Sequence, residues 1–531
     1  MNPSEDHRPA GAIAADLIAL GRDHYARRRF PDAHAAFDQA LALTPENVTA
    51  LKYKGFIYAD ECRFKDAIEI FERALKSEPD DVEALSNIAV NWGKLGRFDE
   101  ARAYLERAEE LLPSAAQLKL TRAHFVNYDP ASSAADVLHA AQSIWRPPSK
   151  LHAWRFRTHT PVPAQEDKKL RLGFISPDFR DHPVARLFLP ALRALDRGQF
   201  DITLYSDRQS EDDITRAIKQ NCTTWHVTKG LSDDQVLDLI ERDDIDILFD
   251  MTALTLGNRL NVFMNKPAPV QVTWLGQSGT TGLGAIDHIL VDRHVVLPGE
   301  EHYYSETPLV MPDTLLCYEP SADVSPVCDP PSAVSGRIAF GSFNNPAKIN
   351  QDVVRLWAEI LRAVPTASLT VKYHTLTNAS AADIVAQQFE SHGIERSRLS
   401  ILGNTTTQDH LAAYDGIDIA FDPFPYSGTM TTLDALWKGV PVICIDGDRW
   451  QSRTTAGILK TVGLPQLVAR DAADYVEKAI ALSENPHQLR ALRHGMRDRM
   501  RASPLMDAHG FGRALGTNLR RIWQEWCRRG D

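Results

Sequence analysis

The chain has 531 residues, of which 44% are hydrophobic and 24% are charged, and its formal net charge is −11. This length exceeds what a single hydrophobic core supports, so we expect roughly two to four domains, and the composition excludes a disordered or fibrous protein. The acidic balance argues against nucleic acid as the main partner, because phosphate binding requires a basic face.

The start of the chain shows no signal pattern of basic and then apolar residues, and no run of about 18 apolar residues occurs in the sequence. The six cysteines lie far apart and include no Cys-x-x-Cys pair, which argues against a disulfide scaffold and against a zinc site. We therefore expect a cytoplasmic protein without a membrane span.

The first predicted elements are helices in a repeat of 34 residues. Small, aromatic or leucine, and proline positions recur in register: Gly21, Gly55 and Ala89; Ala33, Ala67 and Ala101; Phe37, Phe71 and Leu105; Ala40, Ala74 and Ala108; Pro45, Pro79 and Pro113. Small residues let two antiparallel helices pack closely, and proline is tolerated after the second helix. The pattern is typical of tetratricopeptide (TPR) repeats, and we predict three of them over residues 14–115, after a tail of residues 1–13.

A fourth, degenerate unit follows the three repeats. It runs from about Ala115 to Trp145, and His139 stands where phenylalanine is expected. The stretch after it, residues 146–169, is rich in proline and charge and therefore predicts a linker. We assign residues 116–168 to a capping repeat and this linker.

From Leu170 onwards, short apolar runs alternate with amphipathic stretches. The predicted strands read LRLGFIS, FDITLYSD, IDILFDM, VQVTWLG and HILVDRHVV, and then RIAFGSF, LTVKYH, LSILG, IDIAFDPF and PVICIDG. Such strands between helices predict parallel sheets covered on both faces. We predict two Rossmann-like domains, residues 169–330 and 331–531, which join near Val324–Val334 and end in a C-terminal helix. Their ligand is expected in the crevice at the carboxyl ends of the strands.

Four blocks carry a resemblance to a known family. They read LRLGFISPDFRDHPVARLFLPAL, PAPVQVTWLGQSGTTGLGAIDHILVD, FGSFNNPAKINQDVVRLWAEIL and FPYSGTMTTLDALWKGVPV. With the TPR array and the joining segment LTRAHFVNYDP, they resemble the O-GlcNAc transferase/SPINDLY family of protein O-glycosyltransferases from Ala14 to Trp526. The resemblance implies an all-α TPR superhelix followed by an α/β GT-B glycosyltransferase with two Rossmann-like domains.

The resemblance also implies the reaction. A sugar is transferred with inversion, and without a metal or other cofactor, from a nucleotide sugar to Ser or Thr of a protein or peptide held by the TPR groove. UDP-GlcNAc is the expected donor and GDP-fucose is the alternative. The alternative arises because Thr429 stands where some O-GlcNAc transferases have histidine, so that this chain is similar to the SPINDLY form.

Asn345 and Lys348 lie in the loop after the strand RIAFGSF. A lysine near a helix N-terminus can neutralise the charge that develops on a diphosphate leaving group without a metal ion. The family's diphosphate-binding lysine matches Lys348, so we predict that it serves catalysis and donor binding together with Asn345. The alternative is an ordinary solvated surface lysine.

The segment Ser427–Gly439 follows the strand IDIAFDPF and runs into a helix. Backbone N–H groups and hydroxyls there suit phosphate, and the family's ribose-binding acidic residue matches Asp434. Ordinary helix capping is the alternative explanation for this composition. His410 matches a family histidine near the nucleotide base. The predicted donor-binding set is Asn345, Lys348, His410, Gly428, Thr429, Thr431, Thr432 and Asp434.

Residues on the sugar and acceptor side are predicted in the first Rossmann-like domain. Imidazole suits proton transfer near neutral pH, and the family histidine that matches His182 lies by the sugar and acceptor. His182 is therefore predicted either as a general base or as a residue that positions the substrates. Asp178 either orients it or caps the following helix. The glycine-rich loop Gly276–Gly284 faces the sugar in the family, which adds Gly276 and Thr280 to this side.

Two Asp-x-Asp triplets require a test for metal binding. Asp244 and Asp246 open an apolar strand, and Asp446 and Asp448 follow the strand PVICI. Two carboxylates can hold magnesium against a diphosphate, but a site based on lysine makes a metal redundant. We predict no metal site and interpret both triplets as solvated loop ends.

Two other functions remain open. One is a TPR scaffold whose transferase half is inactive, although the presence of Lys348, His182 and Asp434 argues against it. The other is a GT-B enzyme that modifies a small molecule or a glycan and uses its repeats only for assembly.

Overall fold

The structure is a computed structural model that describes residues 8–145, 157–161, 167–320 and 325–530. It divides into two compact units, which we call the first unit (Met1–Tyr128 and Gly341–Thr406) and the second unit (Asp129–Phe340 and Thr407–Asp531). Most of the predicted linker over residues 146–169 lies outside the described residues, as does the start of the predicted joint near Val324–Val334. The predicted domain boundaries therefore stay a prediction.

The first unit begins with packed helix pairs that match the predicted repeats. They are α1 (Ala10–Ala26), α2 (Phe30–Leu43), α3 (Val48–Asp60), α4 (Phe64–Ser77), α5 (Val82–Lys94), α6 (Phe98–Leu111) and α7 (Ala116–Phe125). Helix α1 begins inside the predicted tail of residues 1–13. Asn47 and Asp81 begin α3 and α5, and their side chains accept the backbone N–H of Ala50 and Ala84.

The reason for the 34-residue pattern is visible in the packing of each pair. A Cβ atom added to Gly21 would lie 2.7 Å from the Phe37 ring, and one added to Gly55 would lie 2.5 Å from the Phe71 ring. The repeat alanines of the second helices are fully buried: Ala33, Ala40, Ala67, Ala74, Ala101 and Ala108. The predicted close packing at small residues is therefore confirmed.

The second unit opens with α8 (Ala134–Ile144), so the degenerate fourth repeat is divided between the units. A parallel sheet follows, whose strands are β1 (Leu170–Ser176), β2 (Phe200–Ser206), β3 (Thr224–Val227), β4 (Ile247–Asp250), β5 (Val270–Thr273), β6 (His288–Asp292) and β7 (Thr307–Met311). Among the described residues its order is β3-β2-β1-β4-β5-β6-β7, with every neighbouring pair parallel. Its helices are α9 (Pro183–Ala194), α10 (Asp213–Lys219), α11 (Asp233–Asp243) and α12 (Leu260–Met264).

The later strands form a second sheet, whose order within the described part of the chain is β10-β9-β8-β11-β12-β13. These strands are β8 (Ala339–Ser342), β9 (Ser368–Lys372), β10 (Leu399–Leu402), β11 (Ile419–Phe421), β12 (Val442–Ile445) and β13 (Val468–Ala469). The accompanying helices are α13 (Ser332–Ser335), α14 (Gln351–Ala363), α15 (Ala379–Glu390), α16 (Thr407–Ala413), α17 (Met430–Trp437), α18 (Trp450–Thr461), α19 (Ala472–Ser483) and α20 (Pro486–Arg501). The first sheet shows, between β1 and β4, the reversal of strand order that creates a ligand crevice in Rossmann-type folds.

The last helix, α21 (Ala508–Cys527), packs on the first sheet and not within the domain to which the sequence assigned it. A Cβ atom added to Gly512 would lie 2.4 Å from the Ala194 carbonyl oxygen of α9, and the Phe511 ring stacks on Trp274 at 5.8 Å. The apolar face of α21 thus completes the hydrophobic cover of the first sheet. In the part of the chain that the structure describes, no helix has both the length and the apolar character to cross a membrane.

Candidate functional site

His182 begins helix α9 directly after the loop that follows β1. Its Nδ1 accepts the backbone N–H of Val184 at 3.3 Å, so His182 itself is the N-cap of the helix. Because Nδ1 is the acceptor, the neutral ring carries its proton on Nε2. Burial lowers the pKa of His182 below its ordinary value, while the carboxylate of Asp178 acts in the opposite direction. This arrangement favours a positioning role over that of a general base.

Asp178 lies beside the histidine and does not cap the helix. Its Oδ2 lies 3.7 Å from His182 Nδ1, and its Oδ1 accepts a hydrogen bond from Arg180 at 3.3 Å. The backbone N–H of Asp178 donates to Ser176 Oγ at 3.0 Å, which holds the loop at the carboxyl end of β1. Of the two roles that the sequence left open, capping is therefore wrong, and orientation of the ring stays a proposal.

Gly276 is required by a close approach of two backbones. A Cβ atom at this position would lie 2.2 Å from the Thr252 carbonyl carbon, in the loop after β4. That loop is held by Asp250, which accepts the N–H groups of Thr252 and Ala253 at 3.1 and 2.9 Å and the Thr273 hydroxyl at 2.8 Å. Burial raises the pKa of Asp250 to about 6. The glycine thus fixes the start of the glycine-rich loop against its neighbour.

Thr280 is buried and turned towards Glu306. Its hydroxyl donates to Glu306 Oε2 at 2.6 Å and accepts the N–H groups of Gly282 and Ser305, both at 3.1 Å. One donated and two accepted hydrogen bonds fill the capacity of a hydroxyl group. The geometry of Thr280 therefore argues that it holds the loop and does not contact a sugar. Burial raises the pKa of Glu306, and the threonine hydroxyls act against this effect.

The same loop also rests on the degenerate repeat. A Cβ atom at Gly282, whose φ is +70°, would lie 2.3 Å from the Ala141 carbonyl carbon of α8. Trp145 Nε1 donates to the Thr281 carbonyl at 2.8 Å. Within the second unit, the predicted capping repeat is therefore a support of the glycine-rich loop.

Asp434 lies in the wall of a cavity of about 440 Å³ in the second unit. Asp181, Arg186, Tyr318 and Met430 also line this cavity. The Tyr318 hydroxyl donates to Asp434 Oδ1 at 3.4 Å, and Arg186 Nε donates to Asp181 Oδ1 at 2.7 Å. Burial raises the pKa of Asp434 to about 6, and Arg186 and the Tyr318 hydrogen bond oppose the rise. At neutral pH the carboxylate is ionised and suited to accept hydroxyl groups.

Arg186 is a lining residue that the sequence analysis missed. It follows His182 by four residues and lies one turn further along α9, where Asp181 holds its guanidinium. The signal was present in the spacing, because residues four apart share one face of a helix. Arg186 therefore lies on the helix that His182 begins, and it lines the same cavity as Asp434.

Gly428 brings three of the predicted residues together at the start of α17. A Cβ atom there would lie 2.7 Å from the hydroxyls of both Thr431 and Thr432, and the Gly428 N–H donates to Asp422 Oδ1 at 2.7 Å. Thr429 is the N-cap residue, but its side chain makes no capping bond to the helix. The capping explanation therefore does not account for Thr429.

Thr432 and His410 each contact a neighbouring side chain. The Thr432 hydroxyl is buried against that of Thr455 at 2.9 Å. His410 lies on α16 with its ring edge-on to Tyr414 at 5.7 Å, and the Tyr414 hydroxyl donates to the Thr431 carbonyl at 3.0 Å. His410 is thus connected to the start of α17 through Tyr414.

Asn345 and Lys348 lie in the first unit, on a 3₁₀ turn over Pro346–Lys348. The side-chain Oδ1 of Asn345 accepts the Ala347 N–H at 3.1 Å. The backbone carbonyl of Asn345 accepts the Lys348 N–H at 2.8 Å. Asn350 begins α14 and accepts the Val353 N–H at 3.1 Å. Lys348 is half-buried and lies two residues before Asn350, the N-cap of α14, so it is near a helix N-terminus as the sequence predicts.

Lys372 is a buried cation beside the loop of Lys348 that the sequence analysis missed. It ends β9, it is only 3% exposed, and its Nζ lies 5.9 Å from the centre of the Phe343 ring. Phe343 belongs to the loop that leads to Lys348. The signal in the sequence was a lysine at the end of the apolar strand LTVK, because lysine is rarely buried without a charged or polar partner.

The interpretation of the Asp-x-Asp triplets as solvated ends is wrong for Asp246. This carboxylate is 3% exposed and accepts Lys168 Nζ at 2.6 Å and the Arg171 N–H at 2.8 Å, so it anchors the start of β1. Asp446 accepts Lys460 Nζ at 2.5 Å, and Asp448 is exposed. Among the described residues, no cluster of three or more His, Cys, Asp or Glu side chains is arranged for a metal ion.

Comparison with known proteins gives matches along most of the chain. The model of glycosyl transferase family 41 matches residues 139–320 and 332–515, and two tetratricopeptide-repeat models match residues 18–82 and 58–125. A solved structure of an O-GlcNAc transferase mutant from Thermobaculum terrenum is similar, with a TM-score of 0.86 and 28% identity over 99% of this chain and 100% of that chain. The predicted fold class, TPR helices followed by a GT-B architecture, is confirmed.

Curated relatives match this chain over part of their own length. A Solanum lycopersicum protein named "Probable UDP-N-acetylglucosamine--peptide N-acetylglucosaminyltransferase SPINDLY" is 35% identical over 370 residues, which cover 68% of this chain and 39% of that protein. An Arabidopsis thaliana protein named "Probable UDP-N-acetylglucosamine--peptide N-acetylglucosaminyltransferase SEC" is 25% identical over 371 residues, which cover 68% of this chain and 38% of that protein. The chain thus spans about two fifths of the length of these relatives.

Proposed function

Because the chain belongs to glycosyl transferase family 41, we propose that it transfers a sugar from a nucleotide sugar to Ser or Thr side chains of a protein. The acceptor hydroxyl loses its proton to solvent and its oxygen bonds to the anomeric carbon, while the bond to the diphosphate breaks and the diphosphate leaves with the negative charge. The proposed transfer proceeds with inversion and without a metal ion. UDP-GlcNAc is the proposed donor, since the names of the SPINDLY and SEC relatives carry it, and GDP-fucose is the alternative.

The observation that carries this proposal is the position of Lys348. The lysine ends the 3₁₀ turn that begins after Asn345, and the N-cap residue of α14, Asn350, follows two residues later. Both the ammonium group and the helix N-terminus favour an anion, so the developing charge of the diphosphate is met without a metal. Lys372, buried at the end of the neighbouring β9, adds positive charge to the same unit.

The second unit supplies groups of complementary chemistry. We assign Asp434, ionised at neutral pH and lining a cavity, to the ribose hydroxyls, and the N–H groups at the start of α17 to phosphate. We assign His182 to the positioning of sugar and acceptor, because its Nδ1 is engaged by Val184 and its Nε2–H is a donor. We assign the acceptor to the TPR groove and keep the cytoplasmic location as a prediction.

The test is a panel of nucleotide sugars offered to the purified chain with a mixture of candidate acceptor proteins. We expect hydrolysis and protein transfer with one donor, and a thermal shift with its nucleoside diphosphate. A ligand at 100 times its dissociation constant stabilises the native state by about 2.7 kcal/mol. Failure of every donor to be hydrolysed would instead support the inactive scaffold, and transfer to a glycan alone would support the small-molecule alternative.

A further inference from the structure

The turn between the two helices of each repeat contains one residue in the left-handed region. These residues are Arg28 (φ 56°), Cys62 (φ 59°) and Gly96 (φ 71°), and they recur at the 34-residue period. Arg28 and Cys62 show that this turn accepts a residue with a side chain. The backbone conformation alone therefore does not explain why the third repeat has glycine.

A close approach to the Lys348 turn explains the glycine. A Cβ atom at Gly96 would lie 2.6 Å from the Ile349 carbonyl oxygen, 3.1 Å from its carbon and 3.3 Å from the Pro346 oxygen. Pro346 and Ile349 flank the segment that carries Lys348. The atoms in contact are backbone atoms, so a side chain at residue 96 would displace the turn itself and not a flexible neighbour.

Other contacts of the first unit hold this arrangement in place. Gln388 Nε2 of α15 donates to the carbonyl of Leu95, the residue before Gly96, at 3.3 Å. Asn378 Nδ2 donates to the Glu61 carbonyl in the turn of the second repeat at 3.4 Å. Ile384 of α15 packs against the hydrophobic cluster of the second and third repeats that contains Phe64 and Leu95.

We infer that the third repeat positions Lys348, with the Leu95–Gly96 turn as the backbone support of the Pro346–Lys348 turn. The inference rests on the proposed function, because it gives Lys348 its role at the diphosphate. It makes the repeats part of the catalytic machinery for every reaction of the donor, including hydrolysis by water. In this view they do more than hold the acceptor.

The test compares Gly96→Ala with Gly393→Ala. Gly393 lies in the same unit at φ +80° with no atom within 4 Å of an added Cβ, so its variant measures the strain of the left-handed conformation alone. We expect Gly96→Ala to lower kcat for donor hydrolysis at least 10-fold, with the donor Kd within about threefold. Gly393→Ala should keep a normal kcat and lower Tm less than Gly96→Ala, because it adds the backbone strain without the clash. Equal kcat values for the two variants would overturn the inference.

A double variant separates positioning from general damage. If Gly96 acts through Lys348, Gly96→Ala should cause no further loss of kcat in a Lys348→Ala background. Losses that multiply would overturn the inference, whereas normal turnover of Lys348→Ala itself would overturn the proposed function. Should Gly96→Ala fail to fold, Gln388→Ala removes only the bond to the Leu95 carbonyl. An unchanged kcat in that variant would contradict the inference, and a reduced kcat with unchanged donor Kd would support it.

Discussion

Tyr318 donates its hydroxyl hydrogen to Asp434 Oδ1 across 3.4 Å, in the wall of a cavity of the second unit. Tyr318 follows the first sheet in the chain, and Asp434 lies on α17. The bond therefore ties a carboxylate proposed for the donor to a segment that precedes the second sheet. It also defines a group whose charge can be titrated.

Asp434→Asn should weaken donor binding roughly 10- to 100-fold at neutral pH, since a hydrogen bond to a charged group contributes about 1.5–3 kcal/mol. The pKa of Asp434 is raised from 3.8 to about 6, so the native carboxylate loses its charge as the pH falls through about 6. Donor affinity of the wild type should fall over this range, and the step should be missing in Asp434→Asn. Isothermal titration calorimetry from about pH 5 to about pH 8 measures the donor affinity of both proteins on either side of this pKa.

The same pKa has a consequence for stability. Because the native pKa is above the ordinary value, the stability that Asp434 contributes relative to asparagine is greatest below pH 3.8 and is lost as the pH rises to about 6. The difference in free energy of unfolding between wild type and Asp434→Asn should follow this direction. The opposite trend would mean that Arg186 outweighs burial at this carboxylate.

Tyr318→Phe should shift the pH step of donor binding to higher pH. The tyrosine hydrogen bond stabilises the ionised form of Asp434, so its removal raises the pKa of the carboxyl group further. The loss of stability should be about 0.5–1.5 kcal/mol, the usual contribution of one hydrogen bond. A step that stays at the wild-type pH would show that the 3.4 Å contact carries no energy.

Particular residues show what the sequence can and cannot predict. The repeats were predictable because Gly21 and Gly55 must meet Phe37 and Phe71, and such local contacts leave a fixed period. The strands were predictable because burial of both faces of a parallel sheet leaves continuous apolar runs in the sequence. Lys348 was predicted because its place in the loop after a strand agrees with the family's diphosphate-binding lysine, and this assignment stays a prediction.

Contacts between distant parts of the chain were not predictable. The pairing of Thr280 with Glu306 and the anchoring of β1 by Asp246 depend on how loops meet in space, and neither leaves a local pattern. Gly96 resembles an ordinary turn glycine in the sequence, and only the position of Ile349 explains it. The amphipathic pattern of α21 shows that one of its faces is buried, but it does not show that this face packs on the first sheet.

Deleting residues 1–115 should abolish donor hydrolysis together with protein transfer. The deletion removes the Gly96 turn and the apolar partners of Ile384, so the segment that carries Lys348 loses its support. Hydrolysis and transfer are measured with the same donor, alongside Tm. Undiminished hydrolysis by the truncated chain would show that the repeats serve only the acceptor.

Chelation should leave transfer unchanged, because Lys348 and helix N-termini meet the charge of the diphosphate in the proposed mechanism. Transfer is measured after dialysis against EDTA and again after magnesium is added back. A loss that magnesium reverses would contradict the metal-free mechanism. Asp448, exposed beside Asp446, would then be the first residue to replace.

The central claim is that Lys348 meets the leaving diphosphate, and the most direct measurement is single-turnover transfer by Lys348→Ala. We expect the rate to fall about 10²–10³-fold, or roughly 3–4 kcal/mol, with only a modest change in donor Kd and an unchanged Tm. Lys348→Arg should recover part of the rate, because a planar guanidinium does not replace a compact ammonium in position. Lys65→Ala, which removes an exposed lysine from α4 of the same unit, is the matched control and should be fully active. Near-normal turnover of Lys348→Ala would contradict the assignment of this site.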